Sequence, residues 1–234
     1  WFQILVVLLI TGVIMAIQRY RLNELLKRQA IRNRIAQDLH DNVGSTLSSI
    51  SVYSQVAKIQ NEKHNDGQLD ELLGKISSTS NDMISDMNDI VWAINPRNDS
   101  MEKIIQRMES YARPLLATRN IQLHLLHDKE ILQHNPDMEQ RKNIYLIFKE
   151  AINNAFKYAG CSEIHVDLRL KHNMLQMNIR DNGVGFDTEA DQKMTLSGNG
   201  LENIRSRAKE MNGMVRIESK PGVGTEIILT VNIP

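Results

Sequence analysis

Apolar residues fill the opening of the chain. "WFQILVVLLITGVIMAI", residues 1–17, holds no charged side chain. As a helix it reaches roughly 26 Å, against about 30 Å of hydrocarbon in a bilayer. Residues 1–18 are therefore read as a transmembrane helix cut at its outer edge. A signal peptide fits less well, because there is no basic n-region and no small-residue cleavage site. Arg19, Arg21, Lys27, Arg28, Arg32 and Arg34 follow, with Glu24 the one acid among them. Positive charge beside a span marks its cytoplasmic side. The expected location is the inner (cytoplasmic) membrane, with residues from about 18 onward in the cytoplasm.

The pattern then becomes amphipathic. In "RIAQDLHDNVGSTLSSI", residues 34–50, Ile35, Leu39, Val43, Leu47 and Ile50 recur three or four apart and line one helix face. That helix is expected to reach about Ile59. "QNEKHNDGQ" breaks it with polar residues and Gly67. Next, Leu69, Leu73, Ile76, Ser80, Met83, Met87, Ile90 and Ile94 form a heptad seam interrupted by one serine, and Asn95-Pro96 ends it. Two such helices carry more apolar face than a hairpin can bury. A homodimer that closes a four-helix bundle is the expected solution over residues 19–96.

From residue 97 the periods mix. A helix capped by Asp99 or Ser100 and perturbed at Pro114 precedes the strand "IQLHLL". The helix "MEQRKNIYLIFKEAINNAFKYA" leads to strands "EIHVDLRL" and "MLQMNIR". A glycine-rich stretch, the helix "LENIRSRAKEMN" and strands "MVRIES" and "TEIILTVNI" complete the chain. Helices with mostly antiparallel strands predict a two-layer α/β sandwich over residues 97–234. No internal repeat is present.

Composition adds little. The 28 basic and 28 acidic residues cancel, so no bulk attraction to nucleic acid is expected. Aromatics are scarce and methionines plentiful, which suits helix bundles. The single cysteine, Cys161, is read as a small buried residue, and Trp92 as a packing anchor.

Two polar constellations remain. In the first, His40 and Asp41 stand side by side, just off the apolar stripe and near Gly44. In the second, Glu150 and Asn154 share a helix face with Lys157 one turn on. Asp181 ends a strand before Gly183 and Gly185. Gly198 and Gly200 precede a helix, and Gly222, Gly224 and Thr225 sit in a hairpin turn. Each piece alone reads as a solvated face or a turn. Together, in this order, they suit a nucleotide. A carboxylate such as Asp181 accepts from an adenine amine, and bare backbone N–H groups at a helix start hold phosphates. Asn154 offers a neutral oxygen to Mg²⁺, Glu150 a possible second one, and Lys157 neutralises phosphate charge. No G-x-x-x-x-G-K-[ST] occurs, so this is not a P-loop, and "GNGLEN" lacks the third glycine of a dinucleotide fingerprint.

At these residues the second half resembles the GHKL ATP-binding domain of sensor histidine kinases. "KEAINNAFKYAG" is similar to its N box, "DNGVGFD" to its G1 box, "SGNGL", with Leu201, to its G2 box and "GVGT" to its G3 box. "DLHDNVGSTLSSI" resembles the H box of the DesK/NarX-type subfamily, in which an acid directly follows the phospho-acceptor histidine.

The resemblance implies a membrane-bound kinase that uses ATP and Mg²⁺. Its His40 would take the γ-phosphoryl group and pass it to an aspartate in the receiver domain of a response regulator. Asp41 would hold the proton on the other ring nitrogen. His64, His124, His127, His134, His165 and His172 are read as surface or loop residues. Two other classes share these motifs: a GHKL ATPase of the chaperone or DNA-repair kind, and a dimeric scaffold that binds nucleotide without phosphotransfer. The upstream His-Asp helix argues against the first, and the intact Glu150, Asn154 and Asp181 against the second. One departure stands out. Where family members that dephosphorylate their regulator commonly carry glutamine, five residues past the histidine, this chain has Ser45. A kinase-biased protein is the expectation.

Overall fold

Two long helices precede a five-stranded sheet. The computed structural model describes residues 1–62, 66–187 and 200–233, and omits the side chains of residues 5, 7, 8, 23, 24, 27–45, 62 and 66. The described chain forms two compact units, Trp1–Asn88 and Asp89–Pro234.

Helix α1 spans Phe2–Glu62 and α2 spans Asp66–Ile94, so the break falls inside the polar "QNEKHNDGQ" stretch. The segment Phe2–Leu22 has mean hydropathy 2.0, buries none of its described side chains, and is long and apolar enough to cross a membrane. In the first unit many apolar side chains face solvent, among them Leu47, Val52 and Ile59 of α1 and Leu73, Ile84 and Met87 of α2. The last six residues of α2 belong to the second unit, where Ile90 and Ala93 are buried. Helix α2 stops at Ile94, because Pro96 opens a short 3₁₀ turn, Pro96–Asn98, and restricts Asn95 to an extended backbone.

The second unit is a two-layer sandwich. Its helices are α3 (Met101–Ala117), α4 (Met138–Asn154) and α5 (Gly200–Glu210). Its strands are β1 (Gln122–His127), β2 (Glu163–Lys171), β3 (Met174–Asp181), β4 (Met214–Lys220) and β5 (Gly224–Asn232). The sheet order is β1-β2-β3-β5-β4. Among the described residues only β1 and β2 pair in parallel; the other three pairings are antiparallel.

Local sequence explains the helix starts. Ser100 caps α3 by accepting the Lys103 N–H. Asp137 and Gln140 form a reciprocal capping box at α4. Pro114 sits near the end of α3, which stops three residues later at Ala117. One face of the sheet supplies Ile164, Val166 and Leu168 of β2, Leu175 and Met177 of β3, and Leu229 and Val231 of β5. All are buried against Ile104 and Met108 of α3, Ile144, Phe148 and Ile152 of α4, and Ile204 of α5. Each such side chain contributes roughly 1.5–3 kcal/mol on burial. On β2 the alternate residues His165 and Arg169 are exposed, as the period of two requires.

Candidate nucleotide site

The site is assembled where helix α4 meets the strand ends. After Asn154 the helix widens into a π-helical turn, Ala155–Ala159, closed by Gly160 in the left-handed region. Such turns gather at functional sites. Arg119 holds this one, donating to the Phe156 carbonyl and lying 4.2 Å over the Phe156 ring. Glu150 and Asn154 are half-buried on α4, and Lys157 is exposed.

Asp181, the last residue of β3, is buried. Its Oδ1 accepts the N–H of Gly183 at 2.9 Å and of Thr225 at 3.3 Å. Its Oδ2 has no hydrogen bond among the described residues. Burial pushes the carboxyl above the ordinary carboxylate range, and the two N–H donors pull it back down. One oxygen is thus fixed by the backbone and the other is left for a ligand.

The glycine loops are tied to this carboxylate. The Val184 N–H donates to the Ala159 carbonyl at 2.8 Å, and the Gly222 N–H to the Val184 carbonyl at 2.6 Å. Gly224 has φ +108°, and a Cβ there would lie 2.1 Å from the Asp181 carbonyl oxygen. No other residue type fits. Ser219, which sequence reasoning passed over, laces the two loops: its buried hydroxyl accepts the Phe186 N–H and donates to the Gly224 carbonyl.

On the other side, Gly200 opens α5 against α4. A Cβ on Gly200 would lie 2.3 Å from Glu150 Oε1 and 3.4 Å from Asn154 Nδ2. A bare helix start therefore faces a carboxylate and an amide. Their oxygens are the hard donors that suit Mg²⁺, so the residues present fit that ion. Leu201 follows, half-buried. Gly183 is buried and Gly185 half-buried.

Gly198 and His64 lie outside the described residues, as do the side chains of His40, Asp41 and Ser45, all three of which sit on α1. The structure thus brings Glu150, Asn154 and Gly200 together, and Asp181, Gly183, Gly224 and Thr225 together.

A second cluster was not anticipated. Asp89, 3% exposed, accepts from Arg107 Nη2 at 2.8 Å and from Lys149 Nζ at 2.6 Å. Arg107 lies 5.7 Å from the ring centroids of both Trp92 and Tyr145, and Lys149 lies 5.7 Å from that of Tyr111. Tyr111 in turn donates its hydroxyl to Asn153 Oδ1. Burial pushes both tyrosine hydroxyls up. Arg141, also buried, donates to the Ala93 carbonyl at 2.8 Å and pairs with Asp99. These residues dock the end of α2 on α4, beside Glu150 and Asn154. Trp92 is the packing anchor expected of it.

Two family models match the chain. Residues 139–234 match the one described as "Histidine kinase-, DNA gyrase B-, and HSP90-like ATPase", and residues 32–99 match the one described as "Histidine kinase". Together they cover more than two thirds of the chain. A sensor histidine kinase from Bacillus subtilis (strain 168), YhcY, is 30% identical over 94% of this chain and 55% of its own length. The oxygen sensor histidine kinase NreB of Staphylococcus carnosus (strain TM300) is 29% identical over 87% of this chain and 56% of its own length. The chain thus spans about half the length of the curated relatives it matches.

Solved structures share the fold. The Acinetobacter baumannii histidine kinase AdeS matches 77% of this chain and 95% of its own with a TM-score of 0.56 at 14% identity. The blue-light activated histidine kinase of Erythrobacter litoralis EL346 matches 77% of this chain and 63% of its own with a TM-score of 0.52 at 15% identity.

Proposed function

The chain belongs to the NarX-type sensor histidine kinases, and from that premise we propose that it phosphorylates His40 from Mg-ATP and passes the phosphoryl group to an aspartate of a response regulator. The observation that carries the ATP half of this reading is Asp181. Its carboxylate is buried, fixed through Oδ1 by two backbone N–H groups, and open at Oδ2. That is the arrangement an adenine amine requires of an acceptor.

In this reading the N–H groups at the start of α5, at Gly200 and Leu201, receive the phosphates, with Gly198 of the same glycine motif. Lys157 offsets their charge. Asn154, with Glu150 beside it, would hold a Mg²⁺ ion, which when bound would neutralise charge on the phosphate oxygens. One ring nitrogen of neutral His40 attacks the γ-phosphorus, the bond to the ADP oxygen breaks, and Asp41 accepts the hydrogen bond from the other ring N–H. The resulting phosphoimidazole donates to the regulator's aspartate. Ser45 reaches less far toward an attacking water than glutamine would, so dephosphorylation of the regulator is weak.

The functional domains proposed are a span over residues 1–18, a dimerisation and phosphotransfer hairpin over 19–96, and the ATP-binding domain over 97–234. The exposed apolar side chains of α1 and α2 support a homodimer, since a second copy would cover them. The apolar segment Phe2–Leu22 and the basic residues after it support insertion in the inner membrane with the remainder in the cytoplasm.

The test is incubation of the chain with Mg-ATP labelled at the γ position, then mapping of the modified residue. Acid-labile, base-stable label on His40 is expected. His40→Gln should remove it and leave ATP binding intact. Stable label on another residue would overturn His40 as the acceptor, and no label while ATP is hydrolysed would overturn the proposal in favour of a GHKL ATPase.

A further inference from the structure

The exposed face of the sheet carries three metal-ligating side chains that the proposed phosphotransfer does not use. His124 of β1 and His165 of β2 are register partners across the parallel β1–β2 pairing. Glu163 lies two residues before His165, so it shares that residue's face. Both histidines are exposed and Glu163 is half-buried. The two imidazole rings stack with centroids 4.6 Å apart and planes 15° from parallel. His165 Nε2 lies 3.2 Å from Glu163 Oε2. One ligand atom from each of the three residues falls within 4.8 Å of the others.

We propose that His124, His165 and Glu163 form a surface site for a divalent late transition metal of the Zn²⁺ class. Tetrahedral Zn²⁺, with bonds of about 2.0–2.1 Å, sets its donors about 3.3 Å apart. The Glu163–His165 pair already stands at that separation, and rotation of the exposed His124 ring about its own side-chain torsions closes the third side. Two imidazole nitrogens and one carboxylate oxygen favour Zn²⁺, Ni²⁺ or Cu²⁺ over Mg²⁺, which prefers oxygen and retains its waters. The site is therefore chemically distinct from the oxygen-rich Glu150–Asn154 cradle. All three ligands stand on paired strands, so their backbones are held in place without the metal. Three protein ligands leave water in the fourth position, and the bound ion would fasten the edge strand β1 to β2.

The test is titration of the full chain, without nucleotide, with Zn²⁺ against a competing chelating dye, and in parallel with Mg²⁺. One equivalent of Zn²⁺ is expected to bind. His124→Ala and His165→Ala should each weaken it about tenfold or more, since even the loss of a group hydrogen-bonded to a metal ligand costs about 10–100-fold. Glu163→Gln should weaken it by less. His172→Asn is the control, because His172 has a positive φ that asparagine tolerates, and it should change nothing. Cys161→Ser should likewise change nothing, which separates the site from thiol binding. His124→Gln repeats the first test with a polar residue of similar size, should alanine perturb the edge strand. Zn²⁺ binding that persists undiminished in the His124 and His165 variants, or its absence from the unaltered chain, would overturn the proposal and leave a stacked histidine pair.

Discussion

Replacing Asp89 with asparagine removes one negative charge from a position 3% exposed, between two cations at 2.6 and 2.8 Å. Removing one partner of a buried ion pair costs about 3–5 kcal/mol, because the opposite charge is left without compensation. Here the lower end applies. The Arg107 side chain is 34% exposed and can turn toward water, whereas that of Lys149 is 11% exposed and cannot do so freely. Asparagine also retains one acceptor oxygen. The expected loss is therefore about 3 kcal/mol. For a unit of this size that lowers Tm by roughly 6–12 °C. The assay is thermal unfolding of the full chain in detergent, followed by Trp92 fluorescence in a Trp1→Phe background. Trp92 lies 5.7 Å from Tyr145 and reports on this contact directly. A triple variant, Asp89→Leu with Arg107→Met and Lys149→Met, should recover most of the loss, since apolar groups of similar volume replace buried ion pairs at little cost. A Tm for Asp89→Asn within about 2 °C of the parent would refute the reasoning, because it would mean that water already solvates the pair.

Asp41→Asn should slow autophosphorylation by about 10²–10⁴, the usual worth of a positioned base; a rate within twofold of the parent, by incorporation of labelled phosphate, would reduce Asp41 to a solvated surface acid. Asp181→Asn should weaken ATP binding, measured by calorimetry, while leaving the nucleotide-free protein as stable as before or slightly more so. The sign follows from the raised folded-state pKa of Asp181: its ionised form lowers stability at neutral pH, and that cost fades as pH falls through the folded value. The variant should accordingly lose that rise in stability on the acid side. Gly224→Ala should cost about 3 kcal/mol or more in denaturant unfolding, because a side chain at φ +108° is strained and its Cβ meets the Asp181 carbonyl.

What could be read along the chain was what is local or periodic. The end of α2 at Asn95-Pro96, the start of α3 at Ser100 and the placing of Asp181 at a strand end all follow from neighbours a few residues away. The Glu150–Asn154 pair needs only helical spacing. The Asp89 cluster needs more. Asp89 sits in a heptad helix beside Ile90, where an acid reads as a solvated flank, and its partners lie 18 and 60 residues further on. Only the packed fold brings them to it. The π-helical turn after Asn154 likewise has no local signature, since "AFKYA" continues the helical pattern unbroken. Along the sequence His124 and His165 read as surface or loop residues, because their meeting depends on the register of a parallel pair joined by a long connection.

Among the described residues the sheet ends at β4, and that edge has its own consequence. Along β4 the outward residues are Met214, Arg216, Glu218 and Lys220, all exposed, while Val215 and Ile217 turn inward. A free strand edge is a template on which a stray strand can grow. Three charged side chains in alternate positions, of both signs, make such growth costly, because an added strand would have to desolvate or match each of them in turn. The edge is a gatekeeper against aggregation, built into the same residues whose inward neighbours close the core. It matters most while the chain is partly folded or crowded, when unpaired strands are abundant.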